Sequence, residues 1–347
     1  MIRKISFPVL AVGGLLFILL CGFAPFPQNE QSEATTSDTA PEEDSTVSVI
    51  AWFCKGDTMT YWIHDGQWKV AGGDTIQTLG IHTKVMLTVT DSTSKGYALE
   101  YRFLEFDFDP IEGSETQNIV NLVASQLQKD IVSTVIRFRT DEVGQITKYE
   151  NLKEVKKQAK DLFSHFVQQM PYIDSLAAAG IKIEPLLKKI GSSDLLIDGY
   201  VEELQMLFQC HGNQYPIGEF TEHQDATETE YACDTYMAVG MDPETYEYDL
   251  RIDVDNYIPK EDLKSLVGNL ADLLLDKDAA QEAKKELATE FDQQVQGDAV
   301  YSSYLYAKYF PDGWPEDIVY QEKTLLEGQG KLTQKYITWD YRSVGNF

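Results

Sequence analysis

Two acidic alternations stand out as residues able to do chemistry, Asp107-Phe108-Asp109 and Asp253-Val254-Asp255. Carboxylates two apart on a strand point to one side of it. Paired oxygens of this kind suit a calcium ion, or the two-carboxylate chemistry of glycoside hydrolysis. A calcium loop counted from Asp253 fails: position twelve is Lys264 and position six is not glycine. A solvated sheet face accounts for the same alternation without any ligand. Cys210, His211, His223 and Cys233 carry zinc-ligating atoms, but no tight Cys-x2-Cys pair holds two of them on one turn. The expectation is therefore no metal and no cofactor.

Nucleophilic signatures are missing. The chain has no Gly-x-Ser-x-Gly elbow and no glycine-rich phosphate loop. Its five histidines, His64, His82, His165, His211 and His223, are scattered. No catalytic residue is expected, and a binding role is favoured over an enzymatic one. The aromatics are the enrichment that points to binding. YSSYLYAKYFPDGWP (301–315) forms one group, and Trp52, Tyr61, Trp62 and Trp68 form another. Planar rings line apolar cavities or stack on sugars. Trp62, Trp68, Tyr304, Tyr306 and Trp314 are the expected lining residues, with sheet core as the alternative role. In an oxidising compartment Cys210 and Cys233 would close a disulfide and leave Cys54 over; sequence alone leaves all three pairings open.

These residues need elements to position them. Apolar runs and turn residues give strands at 47–52, 59–63, 84–90 and 97–109, with turns at Lys55-Gly56-Asp57, His64-Asp65-Gly66 and Gly72-Gly73-Asp74. Leu104, Phe106 and Phe108 are expected on one strand face. A helix follows, with Ile119, Val120, Val123, Leu127 and Ile131 at spacings of three and four. A hairpin turns at Asp141-Glu142-Val143-Gly144, and Asn151 with Glu154 reads as a capping-box start of another helix. The second half runs in the same order: strands at 216–238, an alternating strand at 246–255, helices at about 260–274 and 278–295, then strands and a hairpin at Glu327-Gly328.

The expected fold class is α+β, a mainly antiparallel curved sheet packed on amphipathic helices. EYRFLEFDFD (100–109) and EYDLRIDVDN (247–256) alternate alike, which suggests an internal duplication of a strands–helix–hairpin unit. The expected domains are a leader at 1–24, a tether at 25–47, a first α+β unit at 48–150, a helical segment at 151–215 and a second α+β unit at 216–347. Residues 48–347 would also serve as one domain.

Arg3 and Lys4 open a leader whose apolar core runs from Ile5 to Phe23. The acidic, Ser/Thr/Pro-rich stretch after it has too little apolar surface to fold, and reads as a disordered tether. The chain resembles uncharacterised exported proteins of Bacteroidetes in this leader, in Lys55-Gly56-Asp57 before the first long strands, and in Thr140 to Gly144 after the central helix. The resemblance covers most of 50–342 and implies a cell-envelope location; it brings no activity. The net charge of −27 argues against nucleic acid and anionic lipid surfaces as partners. Membrane contact would come through the leader or its lipid. The expected function is that of an exported envelope protein that binds an apolar or amphipathic ligand, or a partner protein. The alternatives are a secreted carbohydrate-active hydrolase with paired carboxylates and a surface interaction module.

Cys21 is the expected lipidation site. Gly22 after it fits an acylation signal, whereas Leu20 before it does not, so cleavage without lipid and a retained anchor stay open. Acylation predicts that the intact mature chain begins at Cys21 and carries acyl mass, and that Cys21→Ala abolishes this form. A mature N-terminus beyond residue 21 contradicts it.

Overall fold

The computed structural model describes residues 46–109, 134–158, 161, 195–227, 230–265, 281, 284 and 297–345. Cys21, residues 25–45 of the expected tether, His165 and most of the expected helices at 119–131, 260–274 and 278–295 lie outside these; Thr46 and Val47, counted with the tether, belong instead to a strand. The described chain is mostly antiparallel sheet with few helical residues. A short pair, β1 (Thr46–Ser48) and β7 (Gln214–Pro216), stands apart. The other strands are β2 (Thr58–Ala71), β3 (Asp74–Thr93), β4 (Gly96–Phe108), β5 (Val135–Thr140), β6 (Ile146–Tyr149), β8 (Gly218–Gln224), β9 (Ala232–Met241), β10 (Tyr248–Ile258), β11 (Ala299–Tyr309), β12 (Pro315–Leu326) and β13 (Gln329–Ser343). They form one 11-stranded sheet in the order β6-β5-β4-β3-β2-β13-β12-β11-β10-β9-β8. The sheet is not closed: β6 and β8 are its edges.

The order is two meanders joined at one seam. β2 to β6 and β8 to β13 each pair neighbour to neighbour, and β13 pairs β2 from Thr58↔Ser343 to Ala71↔Gln329. The hairpins at either side of the seam turn through Gly72-Gly73 and Glu327-Gly328, all four at positive φ. Two-residue turns of that hand match the twist of their strands, and glycine reaches this region freely.

Alternation sorts the side chains into two faces. The inner face carries Met59, Tyr61 and Ile63 of β2, Val85 and Leu87 of β3, Leu99, Tyr101 and Phe103 of β4, Ile136 and Phe138 of β5, Leu250, Ala307, Ile318 and Ile337, all buried. The alternating face expected on 246–255 is seen, with Tyr248 and Leu250 inside. Helix α1 (Leu195–Phe208) packs on this face: the Phe208 ring meets Phe138 at 5.4 Å and Phe53 at 6.3 Å. His211, just after α1, is buried and donates Nε2–H to Gly313 O at 2.9 Å. Burial pushes its pKa down to about 4, so it is neutral in the fold.

Several expectations change. His64-Asp65-Gly66 is not a turn; β2 runs straight through it because both neighbours keep pairing there, His64 with His82 and with Tyr336. Gly66 serves packing instead: a Cβ on it would lie 2.0 Å from the Trp68 indole. Asn151 does open a helical turn at 152–158, but its side chain does not cap it. Asn151 accepts from Arg137 N and donates to Val135 O, completing β5. Leu104 and Phe106, expected on one face, also separate. A bulge between Lys84↔Glu105 and Val85↔Phe103 turns Leu104 and Glu105 outward together, while Phe106 stays half-buried, packed against the core on one side and bordering the outer face on the other.

The Cys210–Cys233 bridge is not formed; Cys54, Cys210 and Cys233 are free thiols. Cys210 lies against Tyr309, whose row across the sheet ends at Met241. Cys233 is at the other end of β9, roughly 20 Å or more away at ~3.3 Å per strand residue. A disulfide needs Cα atoms within about 7 Å.

At the seam, Lys335 of β13 points inward and meets Asp65 of β2 at 2.7 Å, and Glu203 and Glu202 of α1 at 3.2 and 3.3 Å. Burial works against its charge, but the three carboxylates outweigh this and hold the ammonium well above its ordinary pKa. One side chain thus ties helix to seam. Lys335→Met leaves three acids around a buried gap, and urea unfolding should show a loss of about 3–5 kcal/mol. A loss under about 1 kcal/mol, the size of an exposed pair, would remove Lys335 from this role.

Candidate functional site

The outer face is polar, aromatic and half-exposed. Register places Arg251, Tyr306, Val319, Tyr336, His64, His82 and Asp107 in one row across β10, β11, β12, β13, β2, β3 and β4. The next row holds Trp62 beside Lys84 and Glu105. Rings follow one another over the seam: Trp62 and His64 stack at 6.4 Å, and His64 and Tyr336 at 6.1 Å. The Lys84 ammonium sits 4.9 Å above the Trp62 ring. It also bonds Asp340 at 3.0 Å and reaches Glu105 at 3.9 Å.

Between β2 and β4 this face opens into a hollow of about 550 Å³. Trp62, Leu104 and Phe106 make its apolar wall, and His64, His82, Glu105 and Asp107 its polar one. The bulge creates it by turning Leu104 and Glu105 outward together.

A chain of hydrogen bonds runs along the polar wall. His82 Nε2 meets Asp109 Oδ1 at 2.7 Å, and His82 Nδ1 meets His64 Nδ1 at 2.5 Å. Gln77 Nε2 donates to the other Asp109 oxygen at 3.0 Å. The bond from His82 leads in holding the Asp109 carboxyl below its ordinary pKa, so it is an anion. With both rings neutral, His82 donates Nε2–H to Asp109, and its Nδ1 accepts from His64 Nδ1–H. His64 Nε2 is then left as an acceptor. Desolvation, followed by the nearby His82, lowers the His64 pKa and favours this neutral form. Gly80 makes room: a Cβ there would lie 2.1 Å from Asp109 Oδ2. The three groups form a line rather than a ring around one point. Among the described residues no group of three or more His, Cys, Asp and Glu could hold a metal ion.

The expected lining residues separate. Trp62 lines the hollow. Trp68 lies half-buried over Gly66 on the same strand. Tyr304 and Tyr306 share the outer face but sit on β11, where Tyr304 and Tyr236 flank the Arg251 guanidinium at 5.5 and 5.2 Å. Trp314 is core, fully buried and stacked on Phe53 at 3.9 Å; the turn at 311–313 folds it inward. Asp253 bonds Arg251 Nε at 2.7 Å, so it is half of an ion pair and not of a carboxylate pair. His223 bonds Asp234 at 2.5 Å on β8–β9, far along the sheet from Cys210. Sequence reasoning missed the His64–His82–Asp109 line. Its one trace in the sequence was a pair of histidines flanking the Gly72-Gly73 turn.

No family model matches the chain, and no curated protein matches it. Among solved structures, a lipovitellin chain described for its lipid–protein interactions is similar at 10% identity and a TM-score of 0.38, over 85% of this chain and 26% of that one. The chain thus spans about a quarter of that protein's length. An outer membrane channel from Pseudomonas putida F1 is similar at 6% identity and a TM-score of 0.15, over 87% of this chain and 100% of that one. Likenesses this shallow carry no functional argument. Among the described residues no helix is long and apolar enough to cross a membrane.

The line depends on the space above Gly80. Gly80→Ala should push the Asp109 carboxylate off His82 and return its pKa toward the ordinary ~4. Carboxyl NMR titration reads this directly; an Asp109 that still titrates low in the variant contradicts the arrangement.

Proposed function

We propose that this is an exported cell-envelope protein that binds a small amphipathic ligand in the hollow beside the seam, without chemistry on it. One observation carries the reading: an open hollow of about 550 Å³ whose apolar wall of Trp62, Leu104 and Phe106 faces a hydrogen-bonding wall of His64 and His82. Ligand sites pair an apolar lining with a few fixed polar groups in this way. The envelope location rests on the leader and the tether pattern of the sequence.

Hydrolysis by paired carboxylates gains no support at this site. A general acid needs a carboxyl that keeps its proton near neutral pH. Asp109 is held in the opposite state by His82. The proposed architecture behind the site is a duplicated unit with helical cover. In each half the third strand, β4 or β10, pairs with the strand that follows it in sequence, β5 or β11.

Native mass spectrometry of protein purified from its own envelope fraction tests the binding role. The expected result is a bound mass that organic solvent releases, and that a folded Trp62→Ala variant lacks. A ligand-free native protein, or equal loading of the variant, contradicts it.

A further inference from the structure

The charge around the hollow is uneven. Glu105, Asp107 and Asp109 come from β4, Asp340 from β13 and Lys84 from β3, with the Tyr336 ring closing the β13 side. Carboxylates outnumber the ammonium, and Lys84 is already engaged by Asp340 and Glu105. The hydrogen-bonded line from Asp109 through His82 leaves one lone pair, on His64 Nε2, beside the aromatic wall. A head group that suits both features is positively charged and carries N–H. An anionic head would meet the carboxylates, and a purely apolar one would leave His64 unanswered.

We propose that the hollow's occupant is an amphiphile with a protonated amine head, its N–H donated to His64 Nε2 and its apolar body on Trp62, Leu104 and Phe106, and that acid releases it by protonating that same nitrogen. The inference rests on the binding role proposed above. Proton and ammonium compete for one lone pair. Protonating His64 at Nε2 leaves Nδ1–H still donating to His82, so the line survives and only the ligand's acceptor disappears. The new imidazolium also repels the ammonium. Sign and window follow. His64 titrates below the ordinary imidazole ~6.5, so binding is full near neutral pH and is lost as pH falls through the lowered His64 pKa. A free alkylamine and an ethanolamine-headed lipid share this chemistry.

Calorimetric titration at pH 7.5 and pH 5.0 compares octylammonium, octyltrimethylammonium, octanol and octyl sulfate, with circular dichroism confirming the fold at both values. At pH 7.5 octylammonium should bind at least about tenfold tighter than octyl sulfate, and also tighter than the N–H-free trimethyl compound. Its affinity should fall by up to about tenfold per pH unit below the His64 pKa. A folded His64→Phe variant should lose this dependence, and Glu105→Gln should weaken the two cationic compounds while leaving octanol unchanged. Octanol binding that Trp62→Ala abolishes, with octylammonium no tighter, leaves the hollow a ligand site and overturns the amine head. No binding by any compound overturns both. A pH dependence that persists in His64→Phe overturns the shared nitrogen. Dispersions of ethanolamine-headed and choline-headed lipid then separate a lipid source from a free amine.

Discussion

The pairing of β13 with β2 is the contact on which the rest depends. Each half of the chain makes a meander of its own, and only this ladder turns two meanders into one sheet. Consecutive rungs of the seam serve its two faces. Lys335↔Asp65 points inward and recruits Glu202 and Glu203 of α1. Tyr336↔His64 points outward and starts the ring stack and the hydrogen-bonded line. A slip of one residue would exchange these sets, putting an ammonium in the open and an imidazole pair in the core. The buried charges therefore fix register as well as attach the helix.

The faces differ in what keeps them unfilled. Inside, Phe53, Trp314, Phe208 and His211 pack ring on ring beneath the sheet. Outside, side chains rise from the strands at intervals set by the pleat. Two local departures make space there: the bulge at Leu104, and the Gly66↔Gly80 rung, whose missing Cβ atoms leave Trp68 and Asp109 free to lean over the sheet. Local geometry of one or two residues, rather than overall fold, shapes the hollow.

Much of this was legible in the sequence. The hairpin at Glu327-Gly328, the turn at Asp141 to Gly144 and the alternating strand at Tyr248 to Val254 follow from period and turn residues, and they stand where expected. Gly66 misled because glycine beside Asp reads as a turn when neighbouring strands are unknown. Asn151 misled because a side chain able to cap a helix can equally complete a strand. Trp314 was grouped by composition with Tyr304 and Tyr306, yet the intervening turn sends it to the other face. The site itself was not legible. His64, His82 and Asp109 are joined by register alone, and register depends on a bulge and on partners far along the chain.

Photolabelling asks most directly whether the outer hollow is where a ligand sits. An octylamine carrying a diazirine on its tail, activated at neutral pH, marks whatever side chains touch the apolar body. Peptides from β2 and β4 containing Trp62, Leu104 and Phe106 should carry the label, and excess unlabelled ligand should remove it. Label confined to the inner-face strands and α1, or spread evenly over the exposed aromatics Trp52, Tyr246 and Tyr341, would contradict this account.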